Sequence, residues 1–184
     1  MKKVIVTGAG GFIGSHLCEK LVKLGYDTKA FIFYNSSSSW GWLDYSDEKI
    51  KSNLEVFLGD VRDPNGVRSA IKGCDIVINL AALIGIPYSY NSPDSYIDTN
   101  IKGFLNILEI MKKNKINKLI YASSSSVYGN SNKFPTKEND KLKPENVYGL
   151  TKVFNENLAE FYCKKFKINS VGLRFFTVYG KIGR

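Results

Sequence analysis

The stretch Val4-Ile-Val-Thr-Gly-Ala-Gly-Gly-Phe-Ile-Gly-Ser-His-Leu17 sets out a strand, a glycine-rich turn and a helix in that order. An apolar, β-branched run precedes the glycines, and an apolar-periodic segment follows them. This context indicates a site for a dinucleotide, with a plain tight turn as the alternative. Gly8 is expected to permit the turn, Gly11 to let backbone N–H groups approach a pyrophosphate, and Gly14 to let the helix pack closely on the strand.

Strands and helices alternate along the chain, and no internal repeat interrupts them. The alternation predicts an α/β fold, a Rossmann-type doubly wound parallel sheet, in one domain over residues 1–184. Predicted strands lie at 3–7, 28–33, 54–58, 75–80 and 119–122, and predicted helices at 12–24, 67–71, 92–114 and from 148 onward. The apolar faces predicted for the last two helices are Ile97, Ile101, Leu105, Leu108 and Met111 on the first and Phe154, Leu158, Phe161 and Tyr162 on the second.

The net charge of +9 raises the question of a nucleic-acid partner. The lysines are spread along the chain, and the densest groups, at 112–115 and 164–167, lie near predicted helix C-termini. Cations there complement the helix dipole, so the charge indicates a general bias towards anionic ligands and no nucleic-acid partner. No apolar run approaches the ~20 residues needed to span a bilayer, so no membrane association is expected.

The three cysteines, Cys18, Cys74 and Cys163, are widely spaced and odd in number, and none is part of a C-x-x-C pair. This usage is typical of reduced thiols in a cytoplasmic protein. It predicts neither a disulfide framework nor a metal site.

Tyr148 and Lys152 are four residues apart at the start of a predicted helix, and so they share one helical face. A free tyrosine, with a pKa of about 10, is a poor base near neutrality. A nearby ammonium favours the phenolate, which could then take a proton from a sugar hydroxyl. A serine run at 123–126 follows the fifth strand, at the sheet edge where such folds bind ligands. Ser124 would hydrogen-bond the reacting oxygen, although turn formation alone also explains serines there.

Together, TGAGGFIGSHL, YASSSSVYG and Y-x-x-x-K resemble the extended branch of the short-chain dehydrogenase/reductase superfamily, the NAD(P)-dependent sugar-nucleotide epimerases and dehydratases. The resemblance covers essentially the whole chain. It implies a nucleotide-sugar substrate, catalysis by Ser124, Tyr148 and Lys152, and substrate contacts from Ser124 and Thr177. The cofactor contacts that it implies are Gly8, Gly11, Phe12, Ile13, Gly14, Asp60, Val61, Leu80, Ala81, Ala82, Asn100, Ser123, Tyr148 and Lys152.

Two of these assignments, and one further resemblance, have a plain structural alternative. Asp60, which the resemblance places against the adenine, could instead cap the helix at 67–71. Asn100, which would support the active site, could face solvent. The Ser- and Trp-rich segment 34–44 resembles a loop of N-acetylglucosamine-nucleotide 4,6-dehydratases of the legionaminic-acid pathway, but it could also be a surface loop tucked onto the sheet.

The second strand ends in Phe33-Tyr34-Asn35, without the acid that usually hydrogen-bonds the adenosine ribose of NAD. No arginine is near in sequence to hold the 2′-phosphate of NADP. NAD is therefore the modest preference, and NADP is not excluded.

The expected reaction follows from the catalytic segment. In the resembled dehydratases two acids occupy the positions of Ser125 and Ser126, and epimerases carry small or hydroxyl residues there. The segment GLRFFTVYG also resembles UDP-glucuronate 4-epimerases. The sequence thus favours a 4-epimerase, with a 4,6-dehydratase, or a dinucleotide-binding domain without turnover, as alternatives.

Members of the resembled family usually continue well beyond the sixth strand with a substrate-binding region. The chain is therefore expected to be an N-terminal fragment that lacks most of that region. The full-length protein is expected to be a homodimer.

Overall fold

The computed structural model describes residues 1–130 and 135–181. Six strands form one sheet in the order β3-β2-β1-β4-β5-β6, and all neighbours are parallel. This order confirms the predicted doubly wound fold. The strands are β1 (Lys3–Thr7), β2 (Asp27–Phe33), β3 (Leu54–Gly59), β4 (Ile76–Asn79), β5 (Lys118–Ser124) and β6 (Asn169–Phe175).

The helices connect successive strands and cover both faces of the sheet. They are α1 (Phe12–Lys23), α2 (Glu48–Lys51), α3 (Pro64–Ile71), α4 (Ile86–Asn91), α5 (Pro93–Tyr96), α6 (Gly103–Lys113) and α7 (Val147–Phe166), with 3₁₀ turns at Gly41–Tyr45 and Ser125–Val127. Within the described residues, no helix is both long and apolar enough to cross a membrane.

Strand β1 lies between β2 and β4, where the direction of the chain through the sheet reverses. Its side chains are buried on both faces: Ile5 packs into the layer with α3, α6 and α7, and Val4 and Val6 pack into the layer with α1. Burying side chains of this size stabilises the fold by roughly 1.5–3 kcal/mol each. The glycine turn that follows β1 therefore stands at the crevice where dinucleotides bind in such folds.

The long helix predicted at 92–114 is interrupted by a π-helical turn, Ile97–Lys102, between α5 and α6. A π turn changes the helical register, so the predicted apolar stripe is wrong in part. Ile97 and Leu105 are 42% and 37% exposed, whereas Phe104 is buried instead. Leu108 and Met111, beyond the turn, are buried as predicted.

The predicted apolar face of α7 is also wrong in part. Phe154 and Phe161 are 47% and 55% exposed, while Tyr162 is buried. The buried face instead carries polar residues, among them Thr151 and Lys152. The buried face of α7 is polar because it forms part of the candidate functional site.

Candidate functional site

The glycine turn between β1 and α1 brings backbone segments closer than a side chain would permit. A Cβ on Gly14 would lie 2.2 Å from the Gly8 carbonyl oxygen, and one on Gly8 would lie 2.8 Å from the Ala81 nitrogen. Gly8 also has a φ of +69°, in the left-handed region. The packing of the protein itself therefore requires these two glycines.

Gly11 is different, because the protein's own packing does not demand a glycine there. A Cβ on Gly11 would meet one atom within 4 Å, the Gly8 carbonyl oxygen at 3.3 Å. Gly11 is the N-cap of α1, whose N-terminus has neither a side-chain cap nor an acid in its first turn. The first N–H groups of α1, at Phe12 and Ile13, are thus available to an anion. The glycine at position 11 thus keeps the N-terminus of α1 open to an anionic ligand.

A cavity of about 390 Å³ opens beside this turn. Its walls are the glycine turn, the end of β2 and the loop that follows β2. The residues that line it are Gly8, Gly10, Gly11, Ile32, Phe33, Asn35, Ser37, Ser39 and Gly41.

The loop at 34–44 is held against the glycine turn. The backbone N–H of Trp42 donates to the Gly10 carbonyl at 2.9 Å. A Cβ on Gly41 would lie 2.3 Å from the same carbonyl oxygen. The backbones of the two segments are therefore too close for any residue other than glycine at position 41. The loop is therefore tucked onto the fold and lines the cavity. The glycine motif contains one glycine, Gly10, to which the sequence analysis assigned no role. Its presence could have indicated that another segment packs closely against the turn.

Asp60 follows β3 and binds Arg62. One carboxylate oxygen accepts from the Arg62 backbone N–H at 2.8 Å, and the Arg62 guanidinium donates to both oxygens. Burial raises the pKa of Asp60, but the hydrogen bonds from Arg62 outweigh it and hold the pKa below its usual value. Helix α3 is capped by Asp63, which accepts from two backbone N–H groups at 2.9 Å. The cap of α3 is thus Asp63 and not Asp60. Asp60 and the buried Val61 lie directly after β3, at the carboxyl edge of the sheet.

Arg62 also lies near the end of β2 in the folded protein, although the two are far apart along the sequence. Its guanidinium carbon lies 6.0 Å from the centre of the Phe33 ring. An arginine that is remote along the sequence thus lies beside the end of β2, because β2 and β3 are neighbours.

The segment after β4 is fixed to β1. The Thr7 hydroxyl donates to Asn79 at 2.6 Å and accepts from the Ala81 backbone N–H at 3.2 Å. Leu80, Ala81 and Ala82 are half-buried. They lie across the glycine turn, where the resemblance expects the cofactor.

Asn100 is 2% exposed, so the solvent-facing alternative is wrong. Its side chain accepts from the Leu83 backbone N–H at 2.8 Å and donates to the Leu83 carbonyl at 3.0 Å and to Thr151 at 3.1 Å. Its own carbonyl, within the π turn, accepts from Asn155 at 3.0 Å. Asn100 thereby connects the segment after β4 to α7.

Helix α7 carries Tyr148 and Lys152 to the carboxyl end of β5. Asn146 caps the helix by accepting from the Gly149 backbone N–H at 2.7 Å. The Lys152 ammonium donates to the Ala122 carbonyl at 2.9 Å and lies 5.8 Å from the centre of the Tyr148 ring. Tyr148, Lys152 and Ser124 are all buried. The structure thus brings together the three residues that the sequence singled out for catalysis.

Burial controls the titration of this group. It lowers the pKa of Lys152 to about 8 and raises the pKa of Tyr148. The neighbouring Ser124 hydroxyl, which can donate to the phenolate, acts on Tyr148 in the opposite direction. The sequence predicted that Lys152 would lower the Tyr148 pKa. In the structure desolvation outweighs any such effect.

Lys152→Met is expected to stabilise the protein at pH 7. The folded-state pKa of Lys152 lies below the unfolded value of about 10.4, so the unfolded chain binds more protons between the two. Stability of the wild type relative to Lys152→Met should therefore rise between pH 8 and 10. The comparison of the two proteins isolates Lys152, because the buried Cys18 thiol, whose pKa is raised, lowers the stability of both over the same range. The pKa shift corresponds to roughly 3 kcal/mol, and the lost hydrogen bond to the Ala122 carbonyl offsets about 1 kcal/mol of it, so urea unfolding at pH 7 should show a gain of about 2 kcal/mol.

Lys164→Met, an exposed change on the same helix, serves as the control for Lys152→Met and should leave the pH dependence of stability as in the wild type. A difference in stability between the wild type and Lys152→Met that stays constant from pH 8 to 10 would contradict the assignment of a low pKa to Lys152.

The Ser123 hydroxyl does not face the site, because it donates to Glu156 at 2.5 Å. Glu156 accepts two further hydrogen bonds from Arg174 on β6, at 2.9 and 2.8 Å. Arg174 also donates to the Tyr128 hydroxyl and the Glu138 carbonyl, both at 2.8 Å. A cofactor contact from Ser123 would thus fall to its backbone. The sequence reasoning missed this pair, because its partners are far apart along the chain.

Ser125 and Ser126 form the 3₁₀ turn after β5, and the Ser126 backbone N–H donates to the Ser124 hydroxyl at 3.1 Å. Thr177 is exposed just beyond the end of β6, at the same edge of the sheet.

Known proteins resemble this chain in sequence and in fold. The family model described as GDP-mannose 4,6 dehydratase matches residues 5–183. UDP-glucuronate 4-epimerase 4 of Arabidopsis thaliana is 37% identical, over 98% of this chain and 43% of its own length. UDP-N-acetylglucosamine 4-epimerase from Methanobrevibacter ruminantium M1, in complex with UDP-N-acetylmuramic acid, has a TM-score of 0.86 and 34% identity, covering 97% of this chain and 56% of that one. UDP-glucose 4-epimerase of Thermus thermophilus, in complex with NAD, has a TM-score of 0.86 and 27% identity, covering 99% and 57%.

The chain spans about half the length of the curated relatives it matches. The family match nevertheless runs through the glycine turn, the serine segment and α7. The chain therefore belongs to the GDP-mannose 4,6 dehydratase family, among the NAD-dependent sugar-nucleotide epimerases and dehydratases of the extended short-chain dehydrogenase/reductase superfamily.

Proposed function

We propose that the whole protein is an NAD-dependent 4-epimerase of a nucleotide-activated sugar. The observation that carries this proposal is the grouping of Ser124, Tyr148 and Lys152 beside a turn in which Ser125 and Ser126 replace the two acids of the dehydratases. Relatives that are UDP-sugar 4-epimerases support it. The proposal concerns the whole protein, of which this chain would be the N-terminal part, since the curated relatives are about twice as long.

The residues present fit NAD along the carboxyl edge of the sheet. The N–H groups at the start of α1 would hold the pyrophosphate above Gly11, and the cavity beside Gly8 would take the adenosine. Asp60 and Val61 would contact the adenine. Leu80, Ala81, Ala82 and Asn100 would border the dinucleotide, with Ser123 contributing its backbone. When bound, NAD supplies the acceptor for hydride from C4 of the sugar and later returns that hydride.

Tyr148 would act as the base that removes the proton from the sugar 4-hydroxyl. Because burial raises its pKa, Tyr148 depends on nearby positive charge and on the Ser124 hydroxyl to stabilise its phenolate. Lys152, charged at pH 7, would supply part of that charge and hold the nicotinamide ribose. Ser124 would hydrogen-bond the same sugar oxygen, and Thr177 would contact the substrate.

Elimination of water across C5 and C6 needs an acid and a base beside the oxidised sugar, and a serine hydroxyl is competent as neither at neutral pH. Three of the carboxylates that follow this turn along the chain are engaged elsewhere: Asp140 accepts from the Lys137 backbone N–H at 2.8 Å, Glu145 binds the side chain of Asn130 at 2.7 Å, and Glu156 binds Arg174 at 2.8 Å. These engagements support inversion at C4 without loss of water.

The dehydratase-like loop at 34–44 does not oppose this reading. It follows β2, and β2 is three strands from β5 in the sheet, roughly 14 Å at the usual strand spacing. The loop lines the cavity beside the glycine turn. Its resemblance to dehydratases therefore concerns the dinucleotide and not the chemistry at the sugar.

The whole protein is expected to convert a UDP-sugar into its C4 epimer of unchanged mass. The test incubates it with UDP-glucuronate and, separately, UDP-N-acetylglucosamine, and follows the products by mass spectrometry and NMR. A product lighter by one water would replace the epimerase assignment by the 4,6-dehydratase alternative. NAD binding without turnover of any nucleotide sugar would favour the binding-domain alternative.

A homodimer and a cytoplasmic location are further parts of the proposal. The exposed apolar side chains on α6 and α7, among them Leu105, Phe154 and Phe161, would form part of the dimer interface. Sedimentation of the whole protein as a monomer would contradict it. The free thiols of the described cysteines support the location, and burial raises the pKa of Cys18 to about 12, which keeps it unreactive.

A further inference from the structure

The cavity beside the glycine turn contains polar side chains where a carboxylate would be expected. Asn35, Ser37 and Ser39, from the loop after β2, line it together with glycines and two apolar residues. In NAD sites of this fold an acid at the end of β2 hydrogen-bonds the adenosine ribose. Whether these three side chains act as donors or as acceptors toward a ribose depends on the hydrogen bonds that they already donate within the protein.

Asn35 and Ser37 have used their protons within the loop. The Asn35 amide donates to the Ser39 carbonyl at 2.9 Å and to the Phe33 carbonyl at 3.4 Å. Its oxygen accepts the Ser37 hydroxyl at 2.6 Å. Because a serine has one proton to donate, Ser37 can offer the cavity only an acceptor.

The proton of the Ser39 hydroxyl is also already used, because this hydroxyl donates a hydrogen bond to the Asp44 carboxylate at 2.6 Å. The same hydroxyl accepts from the Gly41 backbone N–H at 3.0 Å. The second Asp44 oxygen accepts from the Trp40 backbone N–H at 3.1 Å. Ser39 is left with one lone pair, and the neighbouring carboxylate makes that lone pair a stronger acceptor.

The backbone of the loop offers few donors either. The N–H groups of five consecutive residues all bond within the protein. These residues are Ser38, Ser39, Trp40, Gly41 and Trp42. The arginine near this end of the sheet, Arg62, has its charge paired with Asp60.

A ribose 2′-hydroxyl can donate a hydrogen bond to such acceptors. A 2′-phosphate dianion has no proton to donate, and it would also meet the charge of Asp44. We propose that Asp44, acting through Ser39, is the positioning residue that selects NAD over NADP, in place of the acid missing from β2. This inference rests on the proposed function, because it assumes that the cavity takes the adenosine of a dinucleotide.

The test measures the dissociation constants of NADH and NADPH for the whole protein by calorimetry. The wild type should bind NADH at least ~10-fold tighter than NADPH. Asp44→Asn should reduce that ratio by ~10-fold or more, because the introduced amide can keep the Trp40 contact and donate to Ser39, whose proton then turns to the cavity. The matched control Asp47→Asn, an exposed neutralisation nearby, should leave the ratio unchanged.

Ser39→Ala provides a second variant, should Asp44→Asn fail to fold. It should weaken NADH binding and leave NADPH binding nearly unchanged, so the ratio falls again. A wild type that binds both nucleotides equally, or a ratio that survives both changes, would overturn this inference while leaving the cofactor site in place. A wild type that binds neither would overturn the proposed function and this inference together.

Discussion

Tyr148→Phe is expected to lower kcat of the whole protein by about 10²–10⁴-fold, the usual contribution of a positioned acid–base group. The change removes one hydroxyl from a buried ring and leaves its packing, including the edge contact with Tyr96, in place. Substrate and NAD affinity should therefore change little. Initial rates at saturating nucleotide sugar, with the affinity for NADH measured in parallel, separate the two effects.

Tyr121→Phe is the matched control for Tyr148→Phe. Tyr121 is a second buried phenol on β5, and burial raises its pKa to about 12, but its ring packs against Phe104 in the hydrophobic core and not beside Ser124 and Lys152. Its loss should leave kcat within a few-fold of wild type. If Tyr148→Phe behaved like this control, proton removal would have to be assigned to another group.

Gly11→Val is expected to weaken NADH binding by roughly 100-fold and to cost about 1–2 kcal/mol of stability, which leaves the protein folded. A side chain at Gly11 would occupy the space at the N-terminus of α1 and push a pyrophosphate away from its N–H groups. Each hydrogen bond to a charged group contributes about 1.5–3 kcal/mol, so losing one or two accounts for an effect of this size. Calorimetric titration with NADH measures the loss, and thermal unfolding checks the fold.

Gly14→Val gives the contrasting outcome for the same substitution. Its Cβ would lie 2.2 Å from the Gly8 carbonyl oxygen, so the turn cannot form without moving backbone, and we expect the fold itself to be lost. An unchanged NADH affinity in a folded Gly11→Val protein would mean that the pyrophosphate does not lie over this turn.

The sequence by itself determined the features that depend on neighbours along the chain. Strand, glycine turn and helix follow one another within fourteen residues, so the motif at 4–17 predicts both the element order and the place of the dinucleotide. The four-residue spacing of Tyr148 and Lys152 similarly requires one helical face once α7 forms.

Tertiary structure alone decided which side chains are buried and what burial does to them. The π turn at Ile97–Lys102 shifts the face of α6, and the polar site beneath α7 leaves Phe154 exposed. The pKa of Tyr148 rises although a lysine is one turn away, because desolvation depends on everything packed around the ring.

The loop at 34–44 shows the same division. Its sequence showed aromatics and serines without an acid at the end of β2, and left its role open. Folding places it on Gly10 and turns Asp44 onto Ser39. Local periodicity encodes secondary structure, but the loop conformation that puts Asp44 beside the Ser39 hydroxyl is held by the contact with Gly10, which only the folded sheet provides.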